Sequence, residues 1–152
     1  KKQKLEVTQQ ISNKKNLPPI KNKYEKSKIS YKFIEFTNDI YELYNGIDLA
    51  ITRGGANTLS ELSFLNIPFV SIPLPSAKDN HQFHNSEYYH KKNCCWLINQ
   101  SKFEKDKFAK MFLEIFNNYQ NYSEKIKNLE KINKNNTWNN INNKIIEIID
   151  EN

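Results

Sequence analysis

An apolar stretch that runs into two adjacent glycines, and from them directly into a helix, constrains this chain more than any other feature. It reads Ile51-Thr52-Arg53-Gly54-Gly55-Ala56-Asn57-Thr58-Leu59-Ser60-Glu61-Leu62. In an α/β protein such a strand–glycine–helix junction is where a phosphate sits. Glycine lets an anion come close to the backbone, and the first free N–H groups of the helix point at it with the positive end of the macrodipole. All three glycines, the only arginine and all three histidines lie between Gly46 and His90, so the functional signal gathers in that window. A Gly-Gly after a strand is unspecific by itself. It lacks the G-x-G-x-x-G spacing and has no Walker lysine, and a tight turn that needs small residues is the competing reading.

The flanking sequence has the rhythm of a parallel sheet. Leu5–Thr8 and Ser30–Phe36 read as strands, with a helix opened by Pro19 between them. Asn38 stands as the N-cap of a helix carrying Ile40, Leu43 and Tyr44, which Gly46 ends. Ile47–Thr52 and Phe69–Ile72 are nearly continuous apolar runs, as expected of strands buried on both faces. A helix from Thr58 to about Asn66 separates them. His81–Lys92 reads as a helix and Cys94–Ile98 as a strand. Beyond Ser101 the pattern is helical, with Phe103, Phe108, Phe112, Ile115 and Phe116 on one stripe. Trp138, Ile141, Ile145, Ile146 and Ile149 mark a last helix. Strands alternating with helices imply a doubly wound α/β fold, in which ligands bind beyond the carboxyl ends of the strands. The Gly54-Gly55 turn and the Pro73–Asn80 loop therefore line one crevice.

With 152 residues, 38% apolar, the chain has material for about one domain. No apolar run reaches the roughly 18 residues a membrane span needs, and no signal peptide is visible. Cys94 and Cys95 are neighbours on a strand and point to opposite faces, which argues against a disulfide and for a reducing, cytoplasmic setting. The net charge of +6 is uneven: residues 1–32 carry ten lysines and two glutamates, a local +8, and the remainder nets −2. Such a front could meet an anionic membrane surface or nucleic acid, and a solvated lysine-rich surface is the plainer reading. Abundant Asn, Lys and Ile beside a single Arg fit the codon bias of an AT-rich genome.

Two polar groups could carry chemistry. Glu61 lies three residues after Thr58, the spacing of a capping box, and its carboxylate could otherwise accept two hydrogen bonds from a diol such as ribose. Asp79-Asn80-His81-Gln82-Phe83-His84-Asn85 sits at a loop-to-helix junction, with His81 and Asn85 on one face. Amides and imidazoles read sugar hydroxyls well. His81 and His84 alone make a poor zinc signal, and no nucleophile–base constellation is apparent.

Taken in order, Arg53 to Leu62, Ile67-Pro68, Ile72-Pro73-Leu74-Pro75, then Asp79-Asn80-His81-Gln82 with Asn85, resemble the donor half of the MurG family of glycosyltransferases. The resemblance covers about residues 5–100. It implies the C-terminal half of a GT-B enzyme, a Rossmann-like parallel sheet flanked by helices. The activity implied is transfer of N-acetylglucosamine from UDP-N-acetylglucosamine to lipid I, forming lipid II in peptidoglycan synthesis. By family pattern, Phe36, Thr37 and Ile40 lie against the uracil, and Gly55, Ala56, Asn57 and Thr58 hold the diphosphate. Glu61 binds the ribose, and His81 and Gln82 face the hexose. Many relatives carry glutamine where His81 stands.

The resemblance further implies residues 1–100 as a partial UDP-sugar-binding domain, with residues 101–152 as helices packing on it. No cofactor, metal or nucleic acid is expected. The expected location is cytoplasmic, peripheral on the inner face of the bacterial plasma membrane. The first donor-domain strand, its glycine–serine loop and the acceptor domain with the base are expected to be missing, so lipid I and catalysis would depend on the missing N-terminal domain. Two alternatives stay open: a donor subunit of a split UDP-sugar transferase, and a basic α/β binding module without turnover.

Overall fold

The structure is a computed structural model that describes residues 5–27, 29–35, 37–136, 140, 143 and 146. Two compact units divide the chain, Lys1–Gly46 and Ile47–Asn152.

In the first unit, β1 (Glu6–Gln10) pairs in parallel with β2 (Ser30–Ile34), Glu6 opposite Ser30 and Gln10 opposite Ile34. The crossover carries α1 (Leu17–Ser27). This helix starts two residues before the Pro19 anticipated as its opening. Pro18 and Pro19 both fall in the first turn, where a missing N–H leaves no bond unmade. Tyr24 of α1 packs on Tyr31 and Phe33 of β2 with ring centroids 5.2 and 5.7 Å away, and its hydroxyl donates to Gln9 Oε1 at 2.9 Å. In α2 (Ile40–Tyr44) the cap is Asp39, not Asn38: the Asp39 carboxylate accepts from the Glu42 N–H at 2.8 Å. Gly46 follows the helix at φ +83°, the left-handed geometry that ends it.

The second unit holds the parallel sheet β3 (Ala50–Thr52), β4 (Phe69–Ser71), β5 (Cys95–Leu97), with β4 in the middle. Central placement buries every residue of β4. The first strand of this sheet departs from expectation: it is three residues long, lies at the edge, and leaves Ile51 52% exposed. Helices α3 (Ala56–Phe64) and α4 (His81–Lys91) form the crossovers. Leu59, Leu62, Phe69, Val70, Cys94 and Cys95 make the core, and both thiols are free.

Beyond β5 the chain forms α5 (Lys105–Asn117) and α6 (Tyr119–Asn135), with a break at Asn118. Only Ile115 of the anticipated aromatic stripe is fully buried. The second of these helices falls in the stretch read as helical, but its inward-facing residues were not among those named. It docks on α3, buries Leu129, and is tied there by Asn133, whose Nδ2 donates to Ser63 O and Asn66 Oδ1, each at 2.8 Å. Lys125 is 3% exposed; its ammonium donates to Asn93 Oδ1 at 2.9 Å and lies 4.4 Å above the Trp96 ring. Trp138, Ile141, Ile145 and Ile149 of the anticipated last helix lie outside the described residues, while Ile146 is helical and exposed. Four described residues other than glycine have left-handed backbone: Asn66, Asp79, Asn80 and Asn93, at φ between 51° and 56°. No helix among the described residues is long and apolar enough to cross a membrane.

Candidate functional site

The carboxyl ends of β3 and β4 converge on the glycine turn. The chain leaves β3 through Arg53, whose guanidinium donates to Ile72 O at 3.4 Å, just past β4, and to Gln100 Oε1, past β5. Gly54 follows at φ +89°. A Cβ at Gly54 would lie 2.4 Å from Ser86 Oγ, 2.7 Å from Gln82 O and 3.2 Å from Ser71 Oγ, so close packing as well as conformation requires glycine there.

Gly55 is a different kind of glycine. Its φ of −64° and ψ of 135° are open to any residue, and a Cβ there would meet nothing within 4 Å. Gly55 is the N-cap of α3, and no side chain caps the helix. Its carbonyl accepts the Leu59 N–H at 3.0 Å, the first bond of the helix. The opening N–H groups have no intrahelical partner, and the first turn holds no acidic residue to offset their partial positive charge. Bare backbone, open space and an uncompensated dipole fit an anion at this turn.

This start displaces the capping box. Thr58 is the third helical residue and Glu61 the sixth, so the pair cannot serve as cap and partner. A glycine in extended conformation suffices to begin the helix, and the Thr58–Glu61 spacing is coincidental. Glu61 is half-buried on the second turn, and Ala56 and Asn57 are exposed on the first.

On the other side of the turn stands α4. Its first residue, His81, is exposed, with Nδ1 2.6 Å from Lys78 O. Asp79 and Asn80, both left-handed, turn the chain into the helix. Gln82 Oε1 accepts the Leu74 N–H at 2.9 Å, which joins the Pro73–Asn80 loop to α4. Asn85 Nδ2 donates to Gly54 O at 3.2 Å. The glycine turn, this loop and the start of α4 are thus hydrogen-bonded into one site, as the order of strands and loops suggested.

Ser71 and Ser86 were not anticipated. A serine inside the apolar run Phe69-Val70-Ser71-Ile72 was the one available signal. In the first unit, Thr37 Oγ1 accepts the Asp39 N–H at 3.1 Å and Ile40 opens α2, whereas Phe36 lies outside the described residues. His84 Nδ1 sits 4.0 Å from Glu87, and among the described residues no three His, Cys, Asp or Glu side chains cluster as a metal site would. A cavity of about 580 Å³ lies at the α5–α6 elbow against Trp96, with no lining residue in common with the glycine turn.

The family described as glycosyltransferase family 28 C-terminal domain matches residues 1–141. The UDP-N-acetylglucosamine--N-acetylmuramyl-(pentapeptide) pyrophosphoryl-undecaprenol N-acetylglucosamine transferase of Pelagibacter ubique (strain HTCC1062) is 42% identical over 149 residues, 98% of this chain and 42% of that protein. The protein of the same name from Rickettsia bellii (strain RML369-C) is 37% identical over 115 residues, 76% of this chain and 32% of that one. The chain therefore spans less than half the length of these relatives. The crystal structure of Acinetobacter baumannii MurG superposes with a TM-score of 0.75 at 22% identity, over 86% of this chain and 38% of that chain, a likeness of fold.

Proposed function

Because the chain belongs to the glycosyltransferase family 28 C-terminal domain family, we propose that it is the donor-binding part of an inverting hexosyltransferase. The full-length protein moves N-acetylglucosamine from UDP-N-acetylglucosamine to lipid I, giving lipid II for peptidoglycan. The observation that carries this reading is the Gly55 turn, an open, uncapped helix start at the carboxyl end of a parallel strand.

In this reading the diphosphate rests on the N–H groups from Gly55 to Thr58. Glu61 accepts the ribose hydroxyls. Phe36, Thr37 and Ile40 supply the uracil contact, and His81 and Gln82 read the hexose. With Gln82 Oε1 held by Leu74, its amide N–H groups are the part left to donate. The acceptor hydroxyl displaces UDP from the anomeric carbon. The helix start stabilises the negative charge that builds on the departing diphosphate, and a base outside these residues takes the acceptor proton. Residues 101–152 complete the donor domain. The protein works at the inner face of the bacterial plasma membrane, where the lysines of residues 1–32 add attraction to anionic lipid.

The test is titration of the full-length protein with UDP and UDP-N-acetylglucosamine, before and after Gly55→Val. A side chain in the open space should abolish binding of both ligands while the protein stays folded. Unchanged UDP affinity would remove the diphosphate from this turn. Salt-sensitive RNA binding without uridine-nucleotide affinity would favour a basic binding module instead.

A further inference from the structure

Behind the glycine turn, two serine hydroxyls are closed off from solvent and bonded to each other. Ser71 ends β4 and Ser86 lies on the second turn of α4; each is 0% exposed, and their Oγ atoms are 2.6 Å apart. Ser86 Oγ donates to Gln82 O at 2.8 Å. That bond uses the only Ser86 hydroxyl proton, so Ser71 donates to Ser86. Gly54 packs on the same pair, with its α-carbon hydrogen where a Cβ would collide with Ser86. From the preceding position of α4, Asn85 reaches Gly54 O. One buried polar cluster therefore touches the end of β4, the first turns of α4 and the turn that opens α3.

Packing alone does not ask for hydroxyls here. Alanine at both positions would leave no polar atom to satisfy, whereas each serine must find a partner. What the hydroxyls contribute is direction. A hydrogen bond holds its partners to a few tenths of an ångström, whereas apolar surfaces slide.

We propose that the Ser71–Ser86 pair is a positioning device that holds the Gly54–Gly55 turn and the Gln82 end of α4 at one separation, and so sets the register between the diphosphate and the hexose of a bound UDP-sugar. The inference rests on the donor reading above and deepens it. Neither serine meets the ligand. The Ser71–Ser86 bond ties α4 to the end of β4, and the two hydroxyls form the surface on which Gly54 is seated.

The experiment compares Ser86→Ala with Ser71→Ala/Ser86→Ala in the full-length protein. Each is titrated with UDP and with UDP-N-acetylglucosamine and unfolded in urea. The single variant strands the Ser71 proton in the interior and should unfold earlier. The double variant should recover most of that loss, because replacing both partners of a buried bond with apolar groups is nearly neutral. The positioning role predicts that the stable double variant keeps UDP affinity within about twofold, while the ratio of UDP-N-acetylglucosamine to UDP affinity falls about tenfold, roughly one hydrogen bond's worth. A double variant with the parent's ratio overturns the proposal, whether both affinities are preserved or fall in parallel. A parent protein that binds no uridine nucleotide overturns the donor reading, and the inference with it.

Discussion

Gly54→Ala and Gly55→Ala differ by one residue in position and should differ by several kcal/mol in consequence. At Gly54 the alanine must adopt φ +89°, which costs an L-residue about 1–2 kcal/mol. Its methyl also arrives 2.4 Å from Ser86 Oγ and 2.7 Å from Gln82 O. Neither neighbour can retreat easily: the serine is wholly buried and the carbonyl is helix backbone. Such overpacking adds about 1–3 kcal/mol. The sum, about 2–5 kcal/mol, is a large share of the 5–15 kcal/mol that typically holds a protein folded. At Gly55 the alanine meets nothing and its backbone is unstrained. Loss of glycine's freedom in the unfolded chain stabilises by about 0.4–1 kcal/mol, and the poorer N-cap offsets a similar amount. Urea unfolding followed by circular dichroism measures both differences. Gly54→Ala within about 1 kcal/mol of the parent, or Gly55→Ala the less stable of the two, would refute this stereochemistry.

Glu61→Ala should weaken UDP binding by about 10- to 150-fold, the loss of a charge-assisted hydrogen bond of roughly 1.5–3 kcal/mol; titration calorimetry checks it, and unaltered UDP affinity would end the ribose assignment. His81→Ala should leave UDP affinity nearly intact and lower that for UDP-N-acetylglucosamine, and equal weakening of both would remove His81 from the hexose. Burial pushes the Cys95 thiol from its ordinary 9.0 up to about 12. The unfolded chain then sheds this proton first, so stability should be level below pH 9 and fall as pH rises from 9 towards 12. Cys95→Ala should flatten that decline in urea midpoints at pH 8 and 10.5, and an unchanged slope would assign the loss to other groups.

The sequence and the fold agree where one local signal acts alone. The run Phe69-Val70-Ser71 is a buried central strand because nothing in it competes with burial, and Gly46 ends α2 because glycine admits the left-handed turn. Disagreement comes where two residues could do one job. Thr58 has the better capping side chain, yet the helix begins at Gly55, whose extended backbone already points the chain into it. Asn38 and Asp39 are both good caps, and the carboxylate next to the helix wins. The inward stripe of α6, Tyr122, Lys125, Leu129 and Ile132, stayed hidden because it includes a lysine, and only the fold supplies the Trp96 ring and the Asn93 carbonyl that make its burial tolerable. At the candidate site, the glycine junction was legible, but the opposite demands on Gly54 and Gly55 were not. Those depend on Ser71 and Ser86, which meet only across the crossover.

The left-handed residues show how a chain so poor in glycine still makes sharp turns. Asn66, Asp79, Asn80 and Asn93 lie at φ 51–56°, inside the basin that a short polar side chain can enter. Gly46 and Gly54 lie at 83° and 89°, beyond it. Asparagine, which this composition supplies in abundance, does the work of glycine up to the edge of that basin, and glycine persists past the edge. The two positions where any other residue would be strained are thereby marked out: one closes a helix, and the other carries the backbone past Ser86 into the helix start that faces the open space at Gly55.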